Sequence, residues 1–313
     1  MAITTSSHPK ALWPGIKEWF GLSYKAYDTE YDKLFTVESS SKAYEEFVGQ
    51  TGLGLAQIKP EGQAVSYDDM SQGFITRFTH VRYALGFIIT HEAMADNLYM
   101  KVGKNGATAL GRSMRETREI VGANVYNRAF SGSYLGGDGV SMCNASHPNF
   151  TGGTQDNVAS AALSEAALEQ AVIDMAAWTD DRGLLVNYKP TQLIVPPALM
   201  FEARRILDSE GRTTAALVNS TEGSGFTSGA TNDINAFNAM GYFSSYTVNH
   251  YLTSGTAWFL RTDCPTSLLF LEREALALSD DSDFDNENAK YKATDRYSCG
   301  WVDWRGIYGS TGS

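Results

Sequence analysis

The longest regular pattern in the sequence is a helical stretch from about Glu92 to Phe130. Apolar residues recur there at spacings of four, three, four and four residues, at Leu110, Met114, Thr117, Val121 and Val125. On the opposite face, Arg112 can pair with Glu116, and Arg115 with Glu119. Three glycines, at 103, 106 and 111, lower the helix propensity, and we expect a kink between Val102 and Thr108.

Strand patterns precede the helix. Between Leu55 and Thr90 the sequence predicts a long hairpin, with short strands at 56–58 and 64–67 around a turn at Pro60–Gly62. The alternation from Phe74 to Tyr83 mixes charged with bulky apolar residues, which is typical of a two-faced ribbon that contacts a partner. The first fifty residues are rich in aromatic residues, so they form an arm that packs either on its own domain or on a neighbouring subunit.

The second half of the chain predicts shorter elements. Ser131 to Val158 is rich in Gly, Ser and Asn and indicates a loop or small hairpin. A helix follows from the N-cap Ser164 to about Trp178, with Leu163 and Leu168 placed as a hydrophobic staple. The remaining predicted elements are a strand at 192–195, a helix opened by Pro196–Pro197, a polar loop at 220–232, strands at 246–249, 257–261 and 267–271, and a final strand at 297–308.

Composition excludes several classes of protein. The 313 residues, 43% of them hydrophobic, suffice for one large or two ordinary folded domains, and the 29 glycines favour a strand-rich α+β architecture over a helical bundle. A net charge of -11, with no run of clustered Lys and Arg residues, argues against a protein whose function is to bind nucleic acid. Three widely spaced cysteines fit a reducing compartment, and the absence of a leader or of a long apolar run predicts a protein made in the cytoplasm without a membrane partner.

No catalytic, cofactor or metal signature emerges. His91-Glu92 is followed by Ala95 where a zincin helix needs a second His, so the pair marks a helix start. Cys143 and His147 lack a second ligand pair, so a turn at His147-Pro148 is favoured over a metal site. Gly223-Ser224-Gly225 lies in a polar loop and not in a nucleophile elbow. The acidic run 279–287 lacks the spacing of a calcium loop, which favours a solvated turn.

The order of these elements resembles the major capsid proteins of tailed phages of the Hong Kong 97 type. The closest textual similarity, to the major head subunits of Mu-like phages, lies in the run Thr191–Leu199, in Asn232–Asn235 and in Ala257–Leu260. Ser146–Asn149 and Trp304–Gly306 add to it. The resemblance covers most of the chain from about Leu53 and depends on the order of short motifs.

The resemblance implies a Hong Kong 97-like α+β fold with five segments. These are an N-terminal arm (1–52), an extended loop (53–90), a peripheral domain with a spine helix (91–188), an axial domain (189–276) and a return to the peripheral domain (277–313). The implied function is that of a structural protein, not an enzyme, that assembles in the host cytoplasm into an icosahedral shell around double-stranded DNA.

The implied partners are further copies of the chain in hexamers and pentamers, a separate scaffold protein, and portal and head-completion proteins. Packaged DNA is a neighbour by non-specific proximity only. For intersubunit contacts we select Lys59, Glu61, Arg77 and Arg82. Two alternatives stay open, an encapsulin-like shell that holds cargo and a hydrolase with dispersed catalytic residues. A carbohydrate-binding or fibre protein is disfavoured by the long central helix.

Overall fold

The computed structural model describes residues 13–95, 99–209, 235, 237, 240–243, 245–283 and 287–313. They form two compact units, which are described separately. The first unit comprises the described parts of 1–50, 72–141 and 266–303, and the second those of 51–71, 142–265 and 304–313. The start of the predicted arm, the whole polar loop at 220–232 with Gly223-Ser224-Gly225, and the motif residues Asn232 to Ile234 lie outside the described residues.

The described residues form the following helices and strands. The α-helices are α1 (Trp13–Tyr24), α2 (Tyr31–Leu34), α3 (His91–Ala95), α4 (Tyr99–Asn127), α5 (Glu165–Ala176) and α6 (Met200–Asp208). The strands are β1 (Thr36–Ser39), β2 (Tyr44–Gln50), β3 (Gln72–Thr79), β4 (Val81–Ile89), β5 (His147–Pro148), β6 (Thr154–Gln155), β7 (Val158–Ala159), β8 (Pro190–Val195), β9 (Ser245–Val248), β10 (Trp258–Thr262), β11 (Leu268–Ser282), β12 (Ala289–Trp301) and β13 (Ile307–Ser310).

The first unit is a sheet packed against the long helix α4. The strand order is β1-β11-β12-β4, with β1 parallel to β11 and the other neighbours antiparallel. One face of the sheet, together with α1 and α4, encloses an apolar core that includes Ile16, Phe20, Ile89, Leu110, Met114 and Tyr291. The predicted apolar face of the central helix is therefore correct at Leu110 and Met114.

The predicted kink in this helix is wrong, because α4 runs without interruption through residues 102–108. The glycines serve close packing instead. A Cβ added at Gly106 would lie 2.9 Å from the Phe87 ring of β4, and one at Gly111 would lie 2.8 Å from the Phe20 carbonyl oxygen of α1. The absence of side chains at these positions lets neighbouring elements approach the helix backbone.

The predicted hairpin is also corrected. Residues 51–71 are all described and contain no strand, so the strands predicted at 56–58 and 64–67 do not form. The turn at Pro60–Gly62 is confirmed, since the Gln63 N–H donates to the Pro60 carbonyl at 3.3 Å. The strand that pairs with β3 is β2, which lies inside the predicted arm, and the two form a separate ribbon.

The second unit contains a sheet with the order β7-β13-β10-β8-β9 and the helices α5 and α6. Ser164 caps α5 as predicted, because its side chain accepts a hydrogen bond from the Ala167 N–H. Leu163 and Leu168 both lie in the core beside Trp258. The helix predicted after the two prolines is also confirmed, as a single 3-10 turn that leads into α6.

The unit limits differ from the boundaries predicted from sequence. Helix α5 belongs to the unit with β8–β10, although we predicted it in the peripheral segment 91–188, and the β11–β12 hairpin groups with α4. The single final strand predicted at 297–308 is wrong, because β12 ends at Trp301 and β13, after a 3-10 turn, pairs with β10. The assignment of peripheral and axial roles stays a prediction.

Candidate functional site

The most exposed apolar surface among the described residues lies on residues 51–71, here called the extended loop. Three of its apolar side chains lie almost entirely in solvent, with exposed fractions of 97% for Ile58, 92% for Tyr67 and 81% for Leu55. Leu53, Val65 and Met70 are also exposed. Exposed apolar surface of this kind is typical of a site that contacts another molecule.

The base of the extended loop is held by polar contacts. Thr51 is buried and makes three hydrogen bonds with Ser71: Thr51 N and Oγ1 donate to the Ser71 carbonyl at 2.9 Å and 3.2 Å, and Ser71 N donates to Thr51 Oγ1 at 2.8 Å. Arg182 donates from Nε to the Gly52 carbonyl at 3.1 Å and contacts Asp68 and the Asp69 carbonyl through Nη2. The loop is thus fixed at its base while its apolar middle is exposed.

The surroundings of Asp68 stabilise its ionised form. A hydrogen bond from the Gly54 N–H, supported by the Asp69 N–H and the Arg182 guanidinium, holds the pKa of Asp68 below its ordinary value. The carboxylate therefore stays ionised and remains paired with Arg182 at neutral pH.

The β2–β3 ribbon has one exposed face of mixed chemistry. The paired residues Glu46 and Arg77 lie on it, with Arg77 Nε 3.8 Å from Glu46 Oε1. The Arg77 guanidinium also lies 3.8 Å above the Tyr44 ring. Val48 and Ile75 oppose each other on the same face and are both exposed. The two-faced ribbon predicted from the sequence is therefore confirmed for β3, with β2 as its partner.

The four residues selected from the sequence are all exposed, but at different places. Lys59 precedes the turn of the extended loop, and Glu61 lies within it. Arg77 lies on the ribbon, and Arg82 lies on β4, where its guanidinium contacts the Glu274 carboxylate. Each of the two arginines thus has an acidic partner within its own chain. The role of all four residues as intersubunit contacts stays a prediction.

A buried charged cluster in the first unit was missed in the sequence. Arg118, predicted on the solvent face of α4, contacts Asp295 Oδ2 through Nε at 3.1 Å and Nη2 at 2.7 Å. Its Nη1 donates to Glu272 at 2.7 Å and to the Tyr31 hydroxyl at 2.9 Å. One guanidinium therefore joins the N-terminal segment, the long helix and two strands.

The next charged residue along α4 fixes the N-terminal segment directly. The Glu119 carboxylate accepts hydrogen bonds from the backbone N–H of Glu30 and of Tyr31, both at 2.9 Å. Arg115, one turn earlier, donates to the Asp28 carbonyl. Burial raises the pKa of Glu119 despite these donors. The predicted exposed charged face is therefore wrong at Arg115, Arg118 and Glu119, which all lie inside.

The sequence does contain a signal for Arg118. Leu110, Met114 and Arg118 follow one another at spacings of four residues, so the arginine continues the buried stripe. Thr117 and Val121, which we had placed on the apolar face, are only half-buried. An Arg in line with core residues on a helix is a sign of a buried ion pair.

The residues considered for chemistry have structural contacts. His147 is fully buried, stacks on Trp304 at 4.7 Å and lies 3.0 Å from Asn157 Oδ1. Burial raises the pKa of the Cys143 thiol, so the residue stays protonated. His91 begins α3 as predicted. Of the acidic run, 279–282 belongs to β11 and 284–286 lies outside the described residues.

The described residues include no group of three or more His, Cys, Asp or Glu residues arranged to bind a metal ion. Within the same residues, the helices are too short or too polar to cross a membrane.

Comparisons with solved structures give the fold. The chain resembles the procapsid protein of bacteriophage JBD30, with a TM-score of 0.52, 14% identity, and coverage of 99% of this chain and 77% of the other. It also resembles the mature capsid of bacteriophage PhiM1, with a TM-score of 0.53, 11% identity, and coverage of 91% and 87%. For the capsid of the Myoviridae phage XM1 the TM-score is 0.50, at 8% identity and coverage of 93% and 95%.

The fold is that of the Hong Kong 97 type of phage capsid protein. A profile described as phage capsid protein matches residues 75–310, which is most of the chain, and the chain therefore belongs to the phage capsid protein family. It is a structural major capsid protein that forms the phage shell, and its location is the virion. Among curated proteins, none matches.

Proposed function

We propose that this chain closes an icosahedral head around double-stranded DNA, as hexamers and pentamers joined by the extended loop and the β2–β3 ribbon. Assembly takes place in the host cytoplasm with a separate scaffold protein, and portal and head-completion proteins finish the shell. The chain performs no catalysis in this role.

The observation that carries the proposal is the exposure of Leu55, Ile58 and Tyr67 in a loop with a fixed base. Burying these side chains on a second subunit would remove apolar surface from water at about 25 cal/mol per Å². Since each subunit in a closed ring offers and receives such a loop, the gain repeats at every contact. The mixed face of the ribbon, with Arg77 and Glu46, adds polar groups that set the register of the contact.

The test is assembly of the full chain, expressed with and without neighbouring phage genes and examined by negative-stain electron microscopy. Ile58→Ser should reduce the yield of closed particles about tenfold or more, because several such contacts are needed for each ring. Ile173→Ser is the matched control, since Ile173 is also exposed but belongs to α5 and not to the loop. Charge reversal at Lys59, Glu61, Arg77 and Arg82 tests the predicted contacts one by one.

A persistent monomer with the scaffold protein present, or equal particle yields for the two Ile variants, would contradict the proposal. The cargo shell has a different outcome, because its particles would form normally but contain protein instead of DNA.

A further inference from the structure

His80 occupies the junction between the ribbon and the sheet of the first unit. It is the single residue between β3, which pairs with β2, and β4, which pairs with β12. The chain therefore passes from the ribbon into the sheet at this residue. The other connection between the sheet and the ribbon, from β1 to β2, begins at Ser40.

The His80 ring links both connecting segments, β3–β4 and β1–β2, to the sheet. It is 5% exposed, and its Nε2 lies 3.0 Å from Ser40 Oγ while its Nδ1 lies 3.0 Å from Ser298 Oγ on β12. One side chain thus holds the two chain segments that carry the ribbon against one strand of the sheet.

The hydrogen bonds define the tautomer of the ring. The Ser40 hydroxyl donates its only hydrogen to Glu45 Oε1 at 2.8 Å, so towards His80 it acts as an acceptor. His80 then carries its hydrogen on Nε2, and Nδ1 accepts from the Ser298 hydroxyl. This arrangement requires a neutral imidazole, because a protonated ring has no acceptor.

The surroundings oppose protonation. Burial lowers the pKa of His80, and so do the charges of Arg296 on β12 and Arg273 on β11, while Glu45 on β2 acts in the opposite direction. Protonation would bring a third positive charge beside two arginines and would force the Ser298 hydroxyl to turn.

We propose that His80 is a pH-sensitive joint that fixes the ribbon on the sheet while the ring is neutral and releases it when the ring is protonated. This inference rests on the proposed role of the ribbon in joining subunits. At neutral pH the ribbon leaves the sheet in one direction, as repeated contacts in a shell require. In acid the direction of the ribbon relative to the sheet becomes variable, and the contact surfaces of neighbouring subunits no longer meet in one orientation.

The experiment measures the joint without assembly. Spin labels are placed at Val48→Cys on the ribbon and Lys292→Cys on β12 in the dilute full chain, with a chain lacking both engineered cysteines as the labelling control. The distribution of distances between the labels should be narrow at pH 7.5 and should broaden as the pH falls below the ordinary range of histidine.

Two variants identify the titrating group. His80→Gln keeps a donor and an acceptor but cannot be protonated, so its distribution should stay narrow at pH 5. Arg296→Gln removes a charge that lowers the pKa of His80, so the broadening should move to higher pH. An unchanged distribution in the wild type, or the same broadening in His80→Gln, would overturn the proposal. Failure of particle assembly would count against the proposed function alone, because the label measurement does not depend on particles.

Discussion

Replacement of Arg118 by Ala tests whether the buried cluster holds the first unit together. The substitution removes both contacts to Asp295, whose side chain is 2% exposed, together with the contacts to Glu272 and the Tyr31 hydroxyl. Asp295 is left as a buried carboxylate without a counter-charge. Glu272 is partly exposed and can regain water.

The expected loss in the free energy of unfolding is large because Asp295, unlike the partly exposed Glu272, cannot regain contact with water. Removing one member of a buried ion pair costs about 3–5 kcal/mol, mostly from the uncompensated charge that remains. Burial already raises the pKa of Asp295, and Arg118 opposes that rise. Without Arg118 the pKa should rise further, and Asp295 should become neutral as the pH falls towards it.

The sign of the pH dependence follows from this shift. A carboxyl group whose folded pKa lies above its unfolded pKa contributes stability below the unfolded value, and this contribution is lost as the pH rises through the folded value. The destabilisation of Arg118→Ala should therefore be greatest at pH 7.5 and smaller at pH 4.5. Guanidinium chloride unfolding of the unassembled chain at both pH values measures it.

The matched control is Arg204→Ala, which breaks an exposed pair with Asp208 on α6 and should cost less than about 1 kcal/mol. The double variant Arg118→Ala with Asp295→Ala should recover part of the loss, since it removes the isolated charge. A loss below about 1 kcal/mol for Arg118→Ala, or a loss that is equal at both pH values, would refute the reasoning.

Three further substitutions test other parts of the structure. Gly111→Ala should lower the free energy of unfolding by about 1–3 kcal/mol, because its Cβ would lie 2.8 Å from the Phe20 carbonyl oxygen. Gly21→Ala in α1 is the control: its Cβ meets no atom within 4 Å, so it should raise the free energy of unfolding by about 0.5–1 kcal/mol. Thermal or chemical unfolding measures both. Equal effects at the two sites would contradict the packing argument. Arg182→Ala should speed proteolytic cleavage within residues 51–71, since it removes the contacts to Gly52, Asp68 and Asp69, and an unchanged cleavage rate would show that Thr51 and Ser71 suffice.

The parts of the fold that the sequence predicted correctly depend on neighbouring residues. Ser164 caps a helix through a hydrogen bond three residues away, and Pro196–Pro197 opens another helix by its own backbone geometry. Turn formation at Pro60–Gly62 is similarly local, with Gly62 at a φ of 78°. In each case the determining atoms lie within a few positions of one another.

The parts that failed depend on residues far apart in the chain. The spacing from Leu110 and Met114 places Arg118 on the buried stripe, but nothing in the local pattern shows that its partners at positions 31, 272 and 295 meet it there. The strand that pairs with β3 lies before the loop and not within it, so alternation alone placed the hairpin incorrectly. Gly106 breaks no helix because the Phe87 ring lies against it.

The distribution of polar and apolar groups explains how one subunit can be both rigid and adaptable. Within the first unit, the buried charges of Arg118 and Glu119 each join distant segments, so they favour one arrangement of arm, helix and sheet. In the extended loop, apolar side chains lie outside: Ile58 and Tyr67 are in solvent and have almost no contacts within the chain. In the proposed role of the loop at subunit contacts, its conformation beyond the fixed base is set by the surface that covers it, which suits a shell whose identical subunits meet at different angles.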